Sequence, residues 1–112
     1  MDMPCVFCGI IEGAFKSEKV YEDDGIIAIK DISPVSPIHI LIMPKKHSKN
    51  ICEADSAVIT DIMSKIPLIA KKAGVDEKGF RLVINTGADG GQTVDHLHIH
   101  LMGGREMQWP PG

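Results

Sequence analysis

Three of the five histidines in this 112-residue chain stand in one run, His96-Leu97-His98-Ile99-His100-Leu101. They alternate with aliphatic residues. Alternation at period two predicts a strand with one polar and one apolar face. On such a strand the three imidazoles point the same way, with ~6–7 Å between residues two apart. On a helix the row would scatter. A row of imidazoles supports three kinds of chemistry. Histidines two apart can share a zinc ion and leave a catalytic position open. A neutral imidazole can attack phosphorus or a carbonyl and form a covalent intermediate. The rings can also simply line a polar sheet face. That last reading is poor for three rings in register inside an apolar strand, since simpler polar residues would serve there.

The neighbouring residues favour an anionic substrate. Gly87-Ala88-Asp89-Gly90-Gly91 precedes the ladder and can expose successive N–H groups, although taken alone it also fits an ordinary hairpin loop. Asn85 and Thr93 add neutral donors, and only Asp89 and Asp95 bring carboxylates. Donors gathered beside imidazoles suit a phosphate or other oxyanion better than a bare hydrolytic metal. A second cluster is Cys5-x-x-Cys8. It reads as metal ligands, a redox pair or two packed thiols. No βαβ pattern surrounds it, which disfavours a thioredoxin-like role. Cys52 has no partner in sequence and reads as a packing residue.

The elements that position these groups follow from periodicity. Residues 4–13 carry apolar side chains three and four apart and predict a short helix ended by Gly13. Lys19–Glu22 and Ile26–Ile29 predict a hairpin about Asp23-Asp24-Gly25. His39–Met43 predicts an inner strand stopped by Pro44. From Asp55 or Ser56 to Gly74 the spacing turns helical, with a kink expected at Pro67. Phe80–Asn85 predicts a fourth strand, and the ladder a fifth. The class is α+β: a five-stranded antiparallel sheet with one main helix and a short N-terminal one, in a single domain over 1–112. The tail, 103–112, holds the only Trp beside two prolines. It is expected at a subunit interface or at the rim of the site.

Composition bounds the rest. Apolar content of 44%, charged content of 24% and a net charge of −3 describe an ordinary globular protein. Basic residues gather in nothing larger than a pair such as Lys45-Lys46, which gives no electrostatic case for a nucleic-acid polymer. A single nucleotide stays open, since backbone N–H groups can hold a phosphate. No apolar run approaches the ~20 residues of a membrane span, and the start lacks the features of a signal peptide. Three cysteines, an odd number, fit a reducing compartment, so a cytoplasmic location is expected.

The ladder resembles the signature of the histidine triad (HIT) superfamily. The resemblance continues through Tyr21-Glu22-Asp23-Asp24, Asp31-Ile32-Ser33-Pro34, Pro44-Lys45-Lys46-His47, Gly90-Gly91-Gln92-Thr93-Val94, Gly103-Gly104-Arg105 and Trp109-Pro110-Pro111-Gly112. In order, over nearly the whole chain, these segments look like the nucleotide-binding branch. The resemblance implies a homodimer with one continuous ten-stranded sheet. It also implies a purine mononucleotide pocket and hydrolysis of purine nucleoside phosphoramidates through a nucleotidyl-histidine.

Carried over residue by residue, His98 takes the place of the nucleophile. His100, Thr93 and the Gly91 backbone would hold phosphate oxygens, with Gln92 in the same binding segment. Asn85 and His39 match positions that hold phosphate or orient the central histidine. Asp31, beside Ile32, would accept from the ribose, and Phe7, Ile10 and Ile29 would sandwich the base. Ile29, Lys30 and Asp95 depart from the residues more common in the family, which makes the implied base wall less aromatic. Some superfamily members carry a structural zinc, and Cys5, Cys8, His47 and His96 match that ligand set. Catalysis itself would need no cofactor. The competing readings are a regulatory nucleotide-binding protein with residual activity, a dinucleoside polyphosphate hydrolase, and a hydrolase using the ladder as metal ligands.

Overall fold

A computed structural model describes residues 5–112; the expected helix start at Pro4 lies outside them. The order is α1 (Val6–Ile11), β1 (Lys19–Glu22), β2 (Ile26–Lys30), β3 (Ile38–Pro44), α2 (Ser56–Ala73), β4 (Phe80–Val83) and β5 (Ile99–Gly103). The strands form one five-stranded sheet, β1-β2-β3-β5-β4, and every neighbouring pair is antiparallel. The α+β class and its single sheet are therefore as the periodicity predicts.

Local chemistry sets the turns. The Asp23 carboxylate accepts the N–H groups of Gly25 and Ile26, both at 2.8 Å, and closes the first hairpin. Gly74 takes the left-handed conformation (φ 77°) that ends α2, and Val75 N–H returns to the Ala70 carbonyl at 3.0 Å. Asp55 caps α2 by backbone position only, with no side-chain cap bond. The helix continues through Pro67. Pro67 lies on the exposed face, where the carbonyl left without a partner can meet water.

Period two splits the sheet into two faces. Ile26, Ala28, Ile40, Ile42, Ile99 and Leu101 pack on Ile62, Ile66, Ile69 and Ala70 of α2. On the other face Ile27, Ile29, Leu41 and Met43 pack with Phe7 under α1. His39, His98 and His100 belong by parity to this second face, so the sheet core carries the site on its back.

Two strands are shorter than the sequence predicts. The ladder run is strand only from Ile99; His96 and His98 approach it in irregular backbone. Pro44 ends β3 and offers no N–H to continue a ladder. Leu97 N–H instead donates sideways to the Ser48 carbonyl at 2.7 Å. β4 likewise stops at Val83, whose register partner is His100, and Ile84 and Asn85 lead into the glycine loop. The tail is tied back by Arg81, which donates to the Gln108 carbonyl at 2.8 Å, while Trp109 stands 80% exposed. Among the described residues no helix is long and apolar enough to cross a membrane.

Candidate active site

All five histidines of the chain fall in one line of rings. From one end, His47 and His96 have centroids 4.9 Å apart, and His98 and His100 5.1 Å. His100 and His39 close the other end at 5.1 Å. Phe7 bridges the middle, edge-on to His96 at 5.9 Å and to His98 at 4.9 Å. β5 and its approach supply three rings, β3 supplies His39, the turn after β3 supplies His47, and α1 supplies Phe7.

Hydrogen bonds fix what each neutral ring presents. The His98 ring donates Nδ1–H to the His96 carbonyl at 2.7 Å. Its Nε2 therefore keeps the lone pair, the form a nucleophile needs. At the other end, Val35 N–H donates to His39 Nδ1 at 3.1 Å, so His39 carries its proton on Nε2. That Nε2–H donates to His100 Nδ1 at 2.9 Å. His100 is thereby left with Nε2–H as a free donor. Asp31 Oδ2 stands 3.4 Å from His39 Nε2 and supports the same tautomer. Burial pushes the His100 imidazole below its ordinary 6.5, and the neighbouring His98 and His39 push the same way against Asp31. His100 is neutral at pH 7 and donates as a dipole.

A cleft of ≈ 370 Å³ opens beside this pair. Its lining brings together most of the residues expected from sequence: Phe7, Ile10, Ile29, Asp31, Ile32, Thr93, His98 and His100. Ile32 is 94% exposed and forms a lip. His39 lies behind His100. Asn85, Gly91 and Gln92 stand apart from the lining. Asn85 donates to the Gly90 carbonyl at 2.6 Å, and Gly91 N–H to the Ala88 carbonyl at 3.0 Å. Gln92 accepts from Gly87 N–H and donates to the Lys49 and Val94 carbonyls. These three brace the glycine loop that delivers Thr93.

Sequence reasoning missed Phe15, which lines the mouth with Val6, Lys16 and Ser17. The one available signal was an aromatic residue in an otherwise polar loop. It also missed the backbone groups of Val35 and Pro44, which no side-chain pattern reveals.

Among the described residues two ligand sets converge, Cys5-Cys8-His47-His96 and Asp31-His39-His100. The first fits a metal. The His96 ring donates Nε2–H to the Pro44 carbonyl at 2.8 Å, which leaves Nδ1 unprotonated. That nitrogen lies 3.4 Å from Cys5 Sγ and 3.6 Å from Cys8 Sγ, and His47 Nδ1 lies 3.4 Å from Cys8 Sγ. Edges of ~3.4–3.8 Å are those of a zinc tetrahedron of two thiolates and two imidazoles. The Pro44 carbonyl behind His96 holds the ring so that its bare Nδ1 faces the thiols, the orientation such a ligand needs. Burial pushes the Cys8 thiol up to about 11, with the Cys5 thiol adding to the rise. Metal binding would accordingly release protons. The second set does not fit. Val35 occupies the Nδ1 lone pair of His39, so the proton sits on Nε2, the very atom that would have to ligate.

Comparison with known proteins agrees with this geometry. The HIT domain matches residues 12–107. The chain is 45% identical over 113 residues to a protein of Brassica juncea named 14 kDa zinc-binding protein, covering 96% of this chain and 98% of that one. It is 44% identical over 117 residues to adenylylsulfatase HINT1 of Arabidopsis thaliana, covering 99% and 78%. The crystal structure of a HIT family hydrolase from Legionella pneumophila superposes with a TM-score of 0.93 at 43% identity, covering 97% of this chain and all of that one. A family match over most of the chain, relatives more than 40% identical along nearly all of it and a common fold lead to one conclusion: this chain belongs to the HIT domain family.

Proposed function

We propose that this protein hydrolyses purine nucleoside phosphoramidates through a nucleotidyl intermediate on His98. The observation that carries the reading is the pair of fixed tautomers. His98 keeps its Nε2 lone pair at the cleft, and His100 keeps Nε2–H beside it. His98 Nε2 attacks the α-phosphorus and the bond from phosphorus to the amine nitrogen breaks. The amine leaves with a proton taken from the ladder or from the Thr93 hydroxyl. His100 and Thr93 donate to the phosphoryl oxygens as charge develops on them. Water then cleaves the bond from His98 to phosphorus and releases the nucleoside monophosphate. Asp31 accepts from the ribose hydroxyls, and Phe7, Ile10, Ile29 and Ile32 enclose the base. The relative named adenylylsulfatase supports an adenylyl group as the transferred half.

Cys5, Cys8, His47 and His96 would hold a structural zinc, supported by the converging donors and by the relative named for zinc binding. The ion would pin α1 to the ladder and supply no step of the reaction. A homodimer joined along β4 is supported by the exposed apolar residues Phe80 and Leu82 on that edge, against Lys19 and Glu22 on the β1 edge. Three free thiols support the cytoplasm as its compartment.

The decisive experiment uses His98→Ala with adenosine and guanosine phosphoramidates beside dinucleoside polyphosphates. Turnover is expected to fall by at least ~10³-fold, with nucleotide affinity held within about threefold. Wild-type protein quenched in alkaline denaturant, where the phosphorus–nitrogen bond survives, should carry one nucleotidyl group on His98. Single-turnover hydrolysis at a near-normal rate in the variant would overturn the assignment. Elemental analysis should find close to one zinc per untagged chain and none in Cys5→Ser; no zinc in either means packed thiols.

A further inference from the structure

The tautomer of His100 depends on one backbone amide. Val35 N–H holds His39 Nδ1 at 3.1 Å, and through His39 it settles which nitrogen of His100 carries the proton. Nothing about the Val35 side chain holds that amide in place, because the side chain is 62% exposed. The peptide is held by its neighbours instead. The buried Ser36 hydroxyl donates to the Ile38 carbonyl. Arg105 reaches across 70 residues of sequence, and its Nη2 donates to the Val35 carbonyl at 3.1 Å. Its Nη1 donates to the Glu106 carbonyl at 3.0 Å, which orients the guanidinium plane. Next to it, Gly104 (φ +86°) lies so close to the loop that a Cβ there would sit 2.9 Å from Pro37 Cβ. The tail thus lies on the 31–37 loop and grips the residue that sets the relay.

We propose that Arg105 is a positioning residue: by gripping the Val35 carbonyl it keeps the Val35 amide on His39, and so keeps His100 in the tautomer that presents Nε2–H to the cleft. The value of that tautomer to the reaction rests on the function proposed above. The His39–His100 pair has two hydrogen-bond patterns open to it. When Val35 N–H lets go, a neutral His39 can carry its proton on Nδ1. His39 Nε2 then accepts, His100 must donate from Nδ1, and His100 Nε2 turns a lone pair toward the phosphoryl oxygens. That replaces attraction with repulsion where charge develops. Asp31, 3.4 Å from His39 Nε2, still favours the original tautomer. Loss of Arg105 therefore shifts a population and does not empty it.

The test compares wild type, Arg105→Ala and Arg105→Lys, with ¹⁵N-labelled histidine read by long-range proton–nitrogen NMR. In the wild type, His39 and His100 should both show a protonated Nε2 and a bare Nδ1. In Arg105→Ala both rings should show averaged nitrogen shifts, kcat on an adenosine phosphoramidate should fall about tenfold, and KM should change less than about twofold. Arg105→Lys, whose ammonium can donate to the same carbonyl, should restore the shifts and most of kcat. Replacing Val35 by its α-hydroxy acid removes only the N–H and should mix the tautomers with Arg105 intact. Unchanged ring-nitrogen shifts in Arg105→Ala or in the ester variant would overturn the inference, as would a loss expressed in KM alone. The spectrum needs no turnover. A protein inactive on phosphoramidates would sink the catalytic reading, and the tautomer lock would still be decided by the shifts.

Discussion

At the scale of single residues, the site works through protons placed by backbone groups. The carbonyls of His96 and Pro44 and the amide of Val35 decide the free nitrogen of His98, His96 and His39. None of the three is encoded by a side-chain type. Burial holds His100 neutral, with a pKa below its ordinary 6.5. Above 6.5 both the folded and the unfolded chain hold this ring neutral, and its contribution to stability is complete. As the pH falls from 6.5 toward the folded value, the unfolded chain takes up the proton first and stability is lost. The carboxylates of Glu22 and Asp23, held below 4.5 and 3.8 by Lys45 and by Tyr21, titrate under that window. Thermal unfolding should therefore show a lower Tm at pH 5.5 than at pH 7.5. His100→Asn should show a shallower dependence over the same range.

Among the elements, α1 carries more than its six residues suggest. Cys5 and Cys8 begin it, and Phe7 between them touches both His96 and His98. A metal at the thiols and a base in the cleft would thus hold opposite sides of one short helix. Gly9 lies against the Phe15 ring, and a Cβ there would meet Phe15 Cε2 at 2.5 Å. Phe15 is half exposed and can swing away. Gly9→Ala should therefore leave Tm unchanged or raise it, since Ala is worth up to ~1 kcal/mol over Gly in a helix. Nucleotide affinity should weaken about three- to tenfold, because an aromatic wall leaves the mouth. Calorimetry with a nucleoside monophosphate reads both numbers.

For the whole molecule, the chain uses the two faces of one sheet for separate tasks. The α2 face buries the larger core, and the α1 face carries histidines above a smaller one. The sheet still ends in an edge with Phe80 and Leu82 partly open, each 36% exposed. Leu82→Lys should leave the monomer fold intact and weaken the proposed dimer by roughly 10²–10⁴-fold, since a two-fold axis counts the lost burial twice. Sedimentation over a concentration series measures this. A wild-type chain that stays monomeric at tens of micromolar would remove the dimer from the reading.

Much of this was written in the sequence, for a physical reason. The apolar runs at 26–29 and 39–43 and the helical spacing of 58–69 are local consequences of what must be buried, so the elements followed. The alternation of His96, His98 and His100 put three rings on one side, and the Cys5-x-x-Cys8 spacing marked the other cluster. The ends of β4 and β5 did not follow, because they depend on what Pro44 and Ser48 offer across the sheet. The division of labour in the ladder did not follow either. Which nitrogen each ring leaves free depends on groups that no side-chain pattern reveals: the Pro44 carbonyl for His96, the Val35 amide for His39, and His39 for His100. Only tertiary contact brings the Pro44 carbonyl to a ring 52 residues away, or one imidazole to another 61 residues away. Residue types determined that imidazole chemistry happens here; the fold decided which imidazole attacks, which donates and which is left free for a metal.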